Sequence, residues 1–164
     1  MKPMVLRGLI VLGTVLVLGA VNVAIVGKER IKRDGEIAYL PLAPVDPRSL
    51  MQGDYMALRF AMVDDIERRN AADSHLPRNG EVAFAAVKLD DRQIATLTDD
   101  PAAASIKIRY RVRHGHVWLG TNAFFFEEGT GERFRGASYG EFRVDRKSGE
   151  AVLVGLRSRT LAAL

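Results

Sequence analysis

The feature that most constrains this chain is an unbroken apolar run near its start. Residues 8–27 read GLIVLGTVLVLGAVNVAIVG, with no charged side chain and only Thr14 and Asn22 as polar ones. At about 1.5 Å per residue, a helix of this length covers the roughly 30 Å hydrocarbon core of a bilayer. A helix packed on a soluble domain would need a polar face. We therefore expect a transmembrane anchor with a basic juxtamembrane stretch over residues 1–33 and one domain over residues 34–164.

A cleaved signal peptide is the main alternative for this segment. Its apolar region normally has about 7–15 residues, followed by small residues at positions −3 and −1 of the cleavage site. The present run is longer, and its candidate sites at residues 18–20 and 22–24 fit that pattern poorly. We therefore expect the helix to be retained as a single-pass anchor in the lipid bilayer.

The orientation of this helix is left open by the flanking charges. Lys2 and Arg7 precede the apolar run, whereas four basic residues follow it within residues 28–33. The positive-inside rule favours a cytoplasmic domain. A short basic segment before an apolar run is also the layout of a signal-anchor, which favours export of the domain.

Composition excludes several kinds of chemistry. The chain has no cysteine, which rules out disulfides, thiol nucleophiles and zinc–thiolate or iron–sulfur sites. Of its 24 basic residues, two precede residue 28, leaving 22 against 20 acidic ones, so no nucleic-acid partner is expected. A glycine-rich phosphate loop and the common hydrolase motifs are missing. His114 and His116 flank a turn glycine and by themselves predict no metal site, and no cofactor is expected.

After the anchor the sequence is typical of a mostly β domain. Residues 106–113 alternate apolar and basic side chains, so that one face is fully basic and is either solvated or in contact with anionic lipid or an acidic partner. Residues 55–62 also alternate and predict a strand, with one or two helical turns over residues 63–72. Further strands are predicted at 36–42, 81–89, 93–97, 117–120, 124–126, 139–144 and 151–156, with a short helix at 132–137. About eight short strands indicate a small antiparallel barrel or sandwich.

Two motifs give the chain a resemblance to a known family. The segment DPRSLMQGDYMALRF contains Gly53-Asp54-Tyr55 with Leu58 three residues later, and YGEFRV begins at Tyr139. With the anchor, these motifs resemble the GDYXXLXY family of bacterial membrane-anchored proteins over nearly the whole chain. The family's last tyrosine is Phe60 here. The resemblance implies an inner-membrane anchor with a periplasmic domain, often accompanied by multi-spanning membrane proteins, and it implies no particular reaction.

These motifs supply the candidate site. One hypothesis is that polar side chains line a groove for a partner or ligand, namely Asp54, Tyr55, Tyr139, Glu141 and Arg143. The alternative is that the motifs only fix a turn and a sheet corner, with Asp54 accepting backbone N–H bonds or pairing with Arg48 or Arg143. Residues with an expected structural role are Gly53, Leu58, Phe60 and Gly140.

Two classes of function remain open. In the first, the protein is a non-catalytic accessory subunit of a multi-spanning membrane protein. In the second, it is a peptidase or peptide binder, because the Pro47 to Asp54 segment after one N-terminal helix resembles signal peptidases, with Lys88 as the candidate base. No serine precedes Ser49, so the expected nucleophile is missing.

Overall fold

The structure is a computed structural model that describes residues 3–43, 51–52, 55–72 and 77–164. The described residues form two α-helices, ten strands and two short 3-10 turns. These elements are α1 (Pro3–Asp34), β1 (Glu36–Pro41), β2 (Met51–Gln52), β3 (Tyr55–Ala57), α2 (Ala61–Ala72), β4 (Val82–Leu89), β5 (Ala95–Leu97), β6 (Ile106–Arg113), β7 (His116–Trp118), β8 (Ala123–Phe125), β9 (Tyr139–Val144) and β10 (Ala151–Arg157), with 3-10 turns at Pro101–Ala103 and Gly131–Phe134.

Helix α1 is long and apolar enough to cross a membrane. Its large apolar side chains between residues 9 and 26 remain 49 to 75% exposed, so the β domain does not cover them. The Thr14 hydroxyl donates to the Ile10 carbonyl at 2.9 Å, and the Asn22 amide donates to the Leu18 carbonyl at 2.8 Å. Both polar side chains of the apolar run therefore donate a hydrogen bond within the helix, which suits an environment without water.

The strands form three antiparallel sheets that enclose one core. Their strand orders are β1-β9-β10, β2-β3-β8 and β5-β4-β6-β7. Leu42 bridges to Phe60, which joins the end of β1 to the segment after β3. The Arg109 N–H donates to the Gly149 carbonyl at 2.7 Å, which joins β6 to the β9–β10 hairpin. The domain thus consists of antiparallel sheets, one of them a half-barrel, behind an N-terminal apolar helix, which confirms the predicted fold class. We refer to it as the half-barrel domain.

The core is one cluster drawn from all three sheets and α2. Phe60 and Phe142 meet edge to face at its centre, with ring centroids 5.2 Å apart. Met62 and Ile66 of α2 are buried and belong to this cluster. The four apolar side chains predicted to face inward from residues 106–112 are all buried, which confirms the alternation in β6.

The predicted strand over residues 55–62 is wrong in its second half. The strand ends at Ala57, and α2 begins at Ala61 and continues for 12 residues, longer than the one or two turns expected. The inward alternation of Met56, Leu58, Phe60 and Met62 nevertheless holds. Met62 is buried again on the first helical turn, so a two-residue period of burial continues across the boundary between β3 and α2.

Both predicted hairpins are confirmed. Strands β4 and β5 pair antiparallel across the Asp90-Asp91 turn, and β9 pairs with β10 across residues 145–150. The expected helix at residues 132–137 is a 3-10 turn at Gly131–Phe134, which buries Phe134. A buried aromatic ring and neighbouring glycines favour this tight turn over a regular helix.

Candidate functional site on the outer face of strand β9

Strand β9 is the centre of the first sheet and separates the core from a polar face. Gly140 and Phe142 point inward, whereas Tyr139, Glu141 and Arg143 alternate with them on the outer face. The structure therefore brings together three of the five residues predicted to line a polar groove.

Glu141 is the buried acidic residue of this face. Only 6% of it is exposed, and among the described residues it is the one charged residue that is buried. The Arg157 Nε on β10 donates to Glu141 Oε2 at 2.6 Å, and a terminal guanidinium nitrogen also contacts this oxygen. An unpaired buried carboxylate costs several kcal/mol. Arg157 offsets that cost. It belongs to the site, although no motif in the sequence indicates it.

A β-bulge explains how Arg157 reaches Glu141. Along the β9–β10 ladder, Leu153 opposes Phe142, but Gly155 opposes Glu141, so the residue between them is extra. An extra residue shifts everything after it by one position and reverses the face of each later side chain. Arg157 consequently lies on the outer face. A regular hairpin would have directed it toward the core.

Arg143 connects the outer face of β9 to the end of α1. One of its guanidinium nitrogens donates to the Gly35 carbonyl at 3.3 Å, and Gly35 directly follows the helix. A Cβ at Gly35 would lie 2.5 Å from the Ile31 carbonyl oxygen and 3.0 Å from the Arg143 Cβ. Glycine is therefore needed at this junction, where the helix packs directly against the sheet.

The remaining predicted site residues lie elsewhere. Tyr55 is on β3, in the second sheet, where its ring lies 5.8 Å from that of Phe125. Gly53, Asp54 and Arg48 lie outside the described residues. The five-residue groove therefore stays a prediction, with three members on the outer face of β9 and Tyr55 on a separate sheet.

The residues expected to have a structural role are placed in the core where they are described. Leu58 and Phe60 are buried, and a Cβ at Gly140 would lie 2.8 Å from the Phe60 ring. Phe60, the last position of the GDYXXLXY motif, thus meets the YGE segment where its ring packs against the Gly140 backbone. The missing hydroxyl of Phe60 fits this position, because the residue is only 1% exposed and belongs to the hydrophobic core.

Ion pairs join the end of α1 to the β9–β10 hairpin. Lys28 contacts Glu150, whose other carboxylate oxygen lies 3.4 Å from the Arg109 guanidinium. Arg146 donates to Glu36 at 2.8 Å, and this hydrogen bond lowers the pKa of the Glu36 carboxyl. Hydrogen bonds from the Ser148 side chain and backbone lower the pKa of Asp145 at the hairpin tip. A cleft of about 690 Å³ lies between the hairpin and the helix.

The catalytic candidates are not gathered in one place. Within the described ranges, no three histidine or acidic side chains converge, and the His116 Nδ1 lies 3.5 Å from Glu67. Lys88 is exposed on β4, whereas Ser49 lies outside the described residues. The charged residues of the described site mainly form ion pairs that join parts of the fold.

The fold and site define a class of protein: a small half-barrel domain joined without a linker to an apolar helix that is long enough to span a membrane. The GDYXXLXY protein family model matches residues 17–156, most of the chain, and the chain belongs to this family. Searches of curated proteins and of solved structures give no match.

Proposed function

We propose that the protein is a non-catalytic accessory subunit of a multi-spanning membrane protein in the bacterial inner membrane. Helix α1 crosses the bilayer once, and the half-barrel lies on the periplasmic side. The observation that carries this proposal is the apolar surface of α1, whose large side chains from Leu9 to Val26 are exposed and are not covered by the domain.

The surface of α1 also suits contact with another helix. At Gly8, Gly13 and Gly19, no atom lies within 4 Å of the position that a Cβ would occupy. Small residues allow helix backbones to approach closely in lipid, where packing rather than the hydrophobic effect drives association. A partner helix therefore has room to contact α1 within the bilayer.

The junction between helix and domain supports a subunit whose orientation is fixed. β1 begins one residue after the helix, at Glu36. The Lys28–Glu150 ion pair and the Arg143–Gly35 hydrogen bond tie the helix to the β9–β10 sheet. When a membrane protein binds α1, the half-barrel would thus lie over the outer surface of that membrane protein.

The test is a mild-detergent pull-down of the full-length protein followed by mass spectrometry. Two matched variants accompany it: the domain on an unrelated transmembrane helix, and α1 on an unrelated domain. We expect a multi-spanning protein with the full-length chain and, more weakly, with α1 on the foreign domain, but none when α1 is replaced. A C-terminal alkaline phosphatase fusion, active only outside the cytoplasm, tests the orientation.

Failure to recover any stable partner would contradict the accessory role. The favoured function would then be a self-sufficient binder or a peptidase-like enzyme acting through the GDY segment. The Asp54→Asn and Glu141→Gln substitutions address that case, because they remove the two candidate carboxylates of the predicted groove while keeping side-chain size. Unchanged cellular phenotype with an intact fold would remove the groove hypothesis.

A further inference from the structure

The four-stranded sheet β5-β4-β6-β7 has one face in the core and one face that is basic. Strands β4 to β7 together contain five basic residues and no acidic residue. Four of the five alternate along β6 with its buried apolar residues, so they point away from the core. We call this outer surface the basic face. Its cations are Lys88, Lys107, Arg109, Arg111 and Arg113.

Aromatic side chains lie among these cations. The Phe84 ring is 50% exposed, and the Lys107 Nζ lies 5.0 Å from its centroid. The Arg113 guanidinium lies 5.2 Å from the Trp118 ring. Aromatic rings that are half exposed next to cations are typical of surfaces at the headgroup level of a membrane.

Ion pairs connect the basic face to Lys28, where the apolar run of α1 ends. Lys28 is the first charged residue after the apolar run, so in an inserted helix it lies at the headgroup level. It contacts Glu150, which also lies 3.4 Å from Arg109 on β6. The Glu150 carboxylate thus contacts both Lys28, at the headgroup level, and Arg109, a cation of the basic face.

The β9–β10 hairpin tip extends this surface. Gly149 packs on Phe84, since a Cβ there would lie 3.2 Å from the ring, and its carbonyl accepts a hydrogen bond from the Arg109 N–H. The tip exposes Arg146 and Lys147 beside the cleft that α1 lines down to Ala24. Further cations therefore lie at the same level as the end of the apolar run.

We infer that the basic face and the hairpin tip bind the headgroups of anionic phospholipids in the leaflet around α1. The inference rests on the membrane anchoring in the proposed function and adds a second contact between the protein and the bilayer. Charge complementarity selects the occupant, because juxtamembrane lysine and arginine residues are attracted to anionic lipid surfaces. The tie to Lys28 places this face at the bilayer, where lipid is the nearest anion.

Trp118 provides the test, since it is the single tryptophan of the chain and lies on the basic face. Full-length protein is placed in nanodiscs of phosphatidylcholine, with or without phosphatidylglycerol, each containing a little headgroup spin-labelled lipid. Quenching of Trp118 is expected to be about twofold stronger in the anionic discs. It should fall in high salt, because the screening length shrinks from about 10 Å at 0.1 M to about 3 Å at 1 M.

The variant Lys107→Glu/Arg111→Glu reverses two cations that make no ion pair among the described residues. It should abolish the difference between the two lipid compositions. The matched control Arg92→Glu/Arg159→Glu makes the same change of charge at two exposed residues outside the four strands, which likewise make no ion pair among the described residues, and it should keep the difference.

The outcomes separate this inference from the anchor on which it rests. Co-elution of the protein with the discs reports insertion of α1, independently of any partner protein. If the protein inserts but the quenching of Trp118 does not depend on lipid composition, the lipid-binding inference alone is overturned. The same holds if the control variant reduces the difference between the two lipid compositions as much as the test variant does. Failure of the full-length chain to enter the discs would overturn the anchor and the inference together.

Discussion

The outer faces of the first sheet and of the four-stranded sheet use charge in opposite ways. On the first sheet, Glu141 is buried and its carboxylate is held by Arg157. On the basic face, Lys107, Arg111 and Arg113 are exposed, and no carboxylate of the described residues forms an ion pair with them. One face neutralises its charge internally, whereas the other presents charge outward.

The difference shows which charges stabilise the fold and which are available for contacts. Removing one member of a buried pair leaves an ion without water or partner, which is strongly destabilising. Exposed cations are already solvated and contribute little to the free energy of unfolding. The outer face of the first sheet is thus needed for the fold, while the basic face is free to bind.

The largest expected effect comes from Arg157→Ala. The Glu141 carboxylate would remain buried without its guanidinium partner, and we expect the free energy of unfolding to fall by about 3 kcal/mol. Urea unfolding of the full-length protein in mild detergent, followed by Trp118 fluorescence, measures this change. The double variant Arg157→Ala/Glu141→Gln should recover part of the loss, because a neutral amide costs less to bury than a carboxylate.

The same truncation on the basic face is the matched control. Arg111→Ala removes an exposed cation from β6, and the free energy of unfolding should change by no more than about 0.5 kcal/mol. Equal losses for Arg157→Ala and Arg111→Ala would break the comparison, since both faces would then contribute alike to stability.

A smaller loss is expected from Gly140→Ala on the inner side of β9. The new methyl group would lie 2.8 Å from the Phe60 ring and 3.1 Å from Leu153, so the core must shift. Overpacking of this kind costs about 2 kcal/mol. Gly155→Ala on β10 is the control, because no atom lies within 4 Å of its Cβ position, and thermal unfolding should show little change. A larger loss at Gly155 would contradict the assigned packing.

The smallest expected effect concerns acid and the hairpin tip. The Ser148 N–H and hydroxyl donate to Asp145 at 2.9 and 2.6 Å, which lowers the pKa of Asp145 from its usual 3.8. Its stabilising contribution, about 1 kcal/mol, is therefore complete above pH of about 4 and is lost as pH falls through the lower pKa of the folded state.

Unfolding free energies at pH 7 and pH 3 measure this contribution. Asp145→Asn should reduce the difference between the two pH values, whereas Asp91→Asn in the exposed β4–β5 turn should leave it unchanged. An unaltered pH dependence in Asp145→Asn would show that the tip does not respond to acid. The Glu36–Arg146 pair acts in the same direction, because its hydrogen bond lowers the pKa of Glu36.

Regular periodicity was the part of the sequence that predicted structure well. The alternation in β6 reflects burial of every second side chain, a local property of extended chain. The sequence predicts too short a helix at α2, because the two-residue period of buried side chains continues through Met62. The candidate groove stays a prediction, although alternation along β9 alone places Tyr139, Glu141 and Arg143 on one face. Tyr55 belongs to a different sheet, which alternation along one strand does not reveal.

The sequence by itself determined the apolar helix, the mostly β domain after it, the basic alternation of β6 and the motifs of the family. Each depends on residues close together in the chain. Only the tertiary structure decided the partner of Glu141, because one extra residue in β10 reverses the face on which Arg157 lies. It alone also brought Lys28, Glu150 and Arg109 together, since a contact across 122 positions depends on how the hairpin packs against the helix.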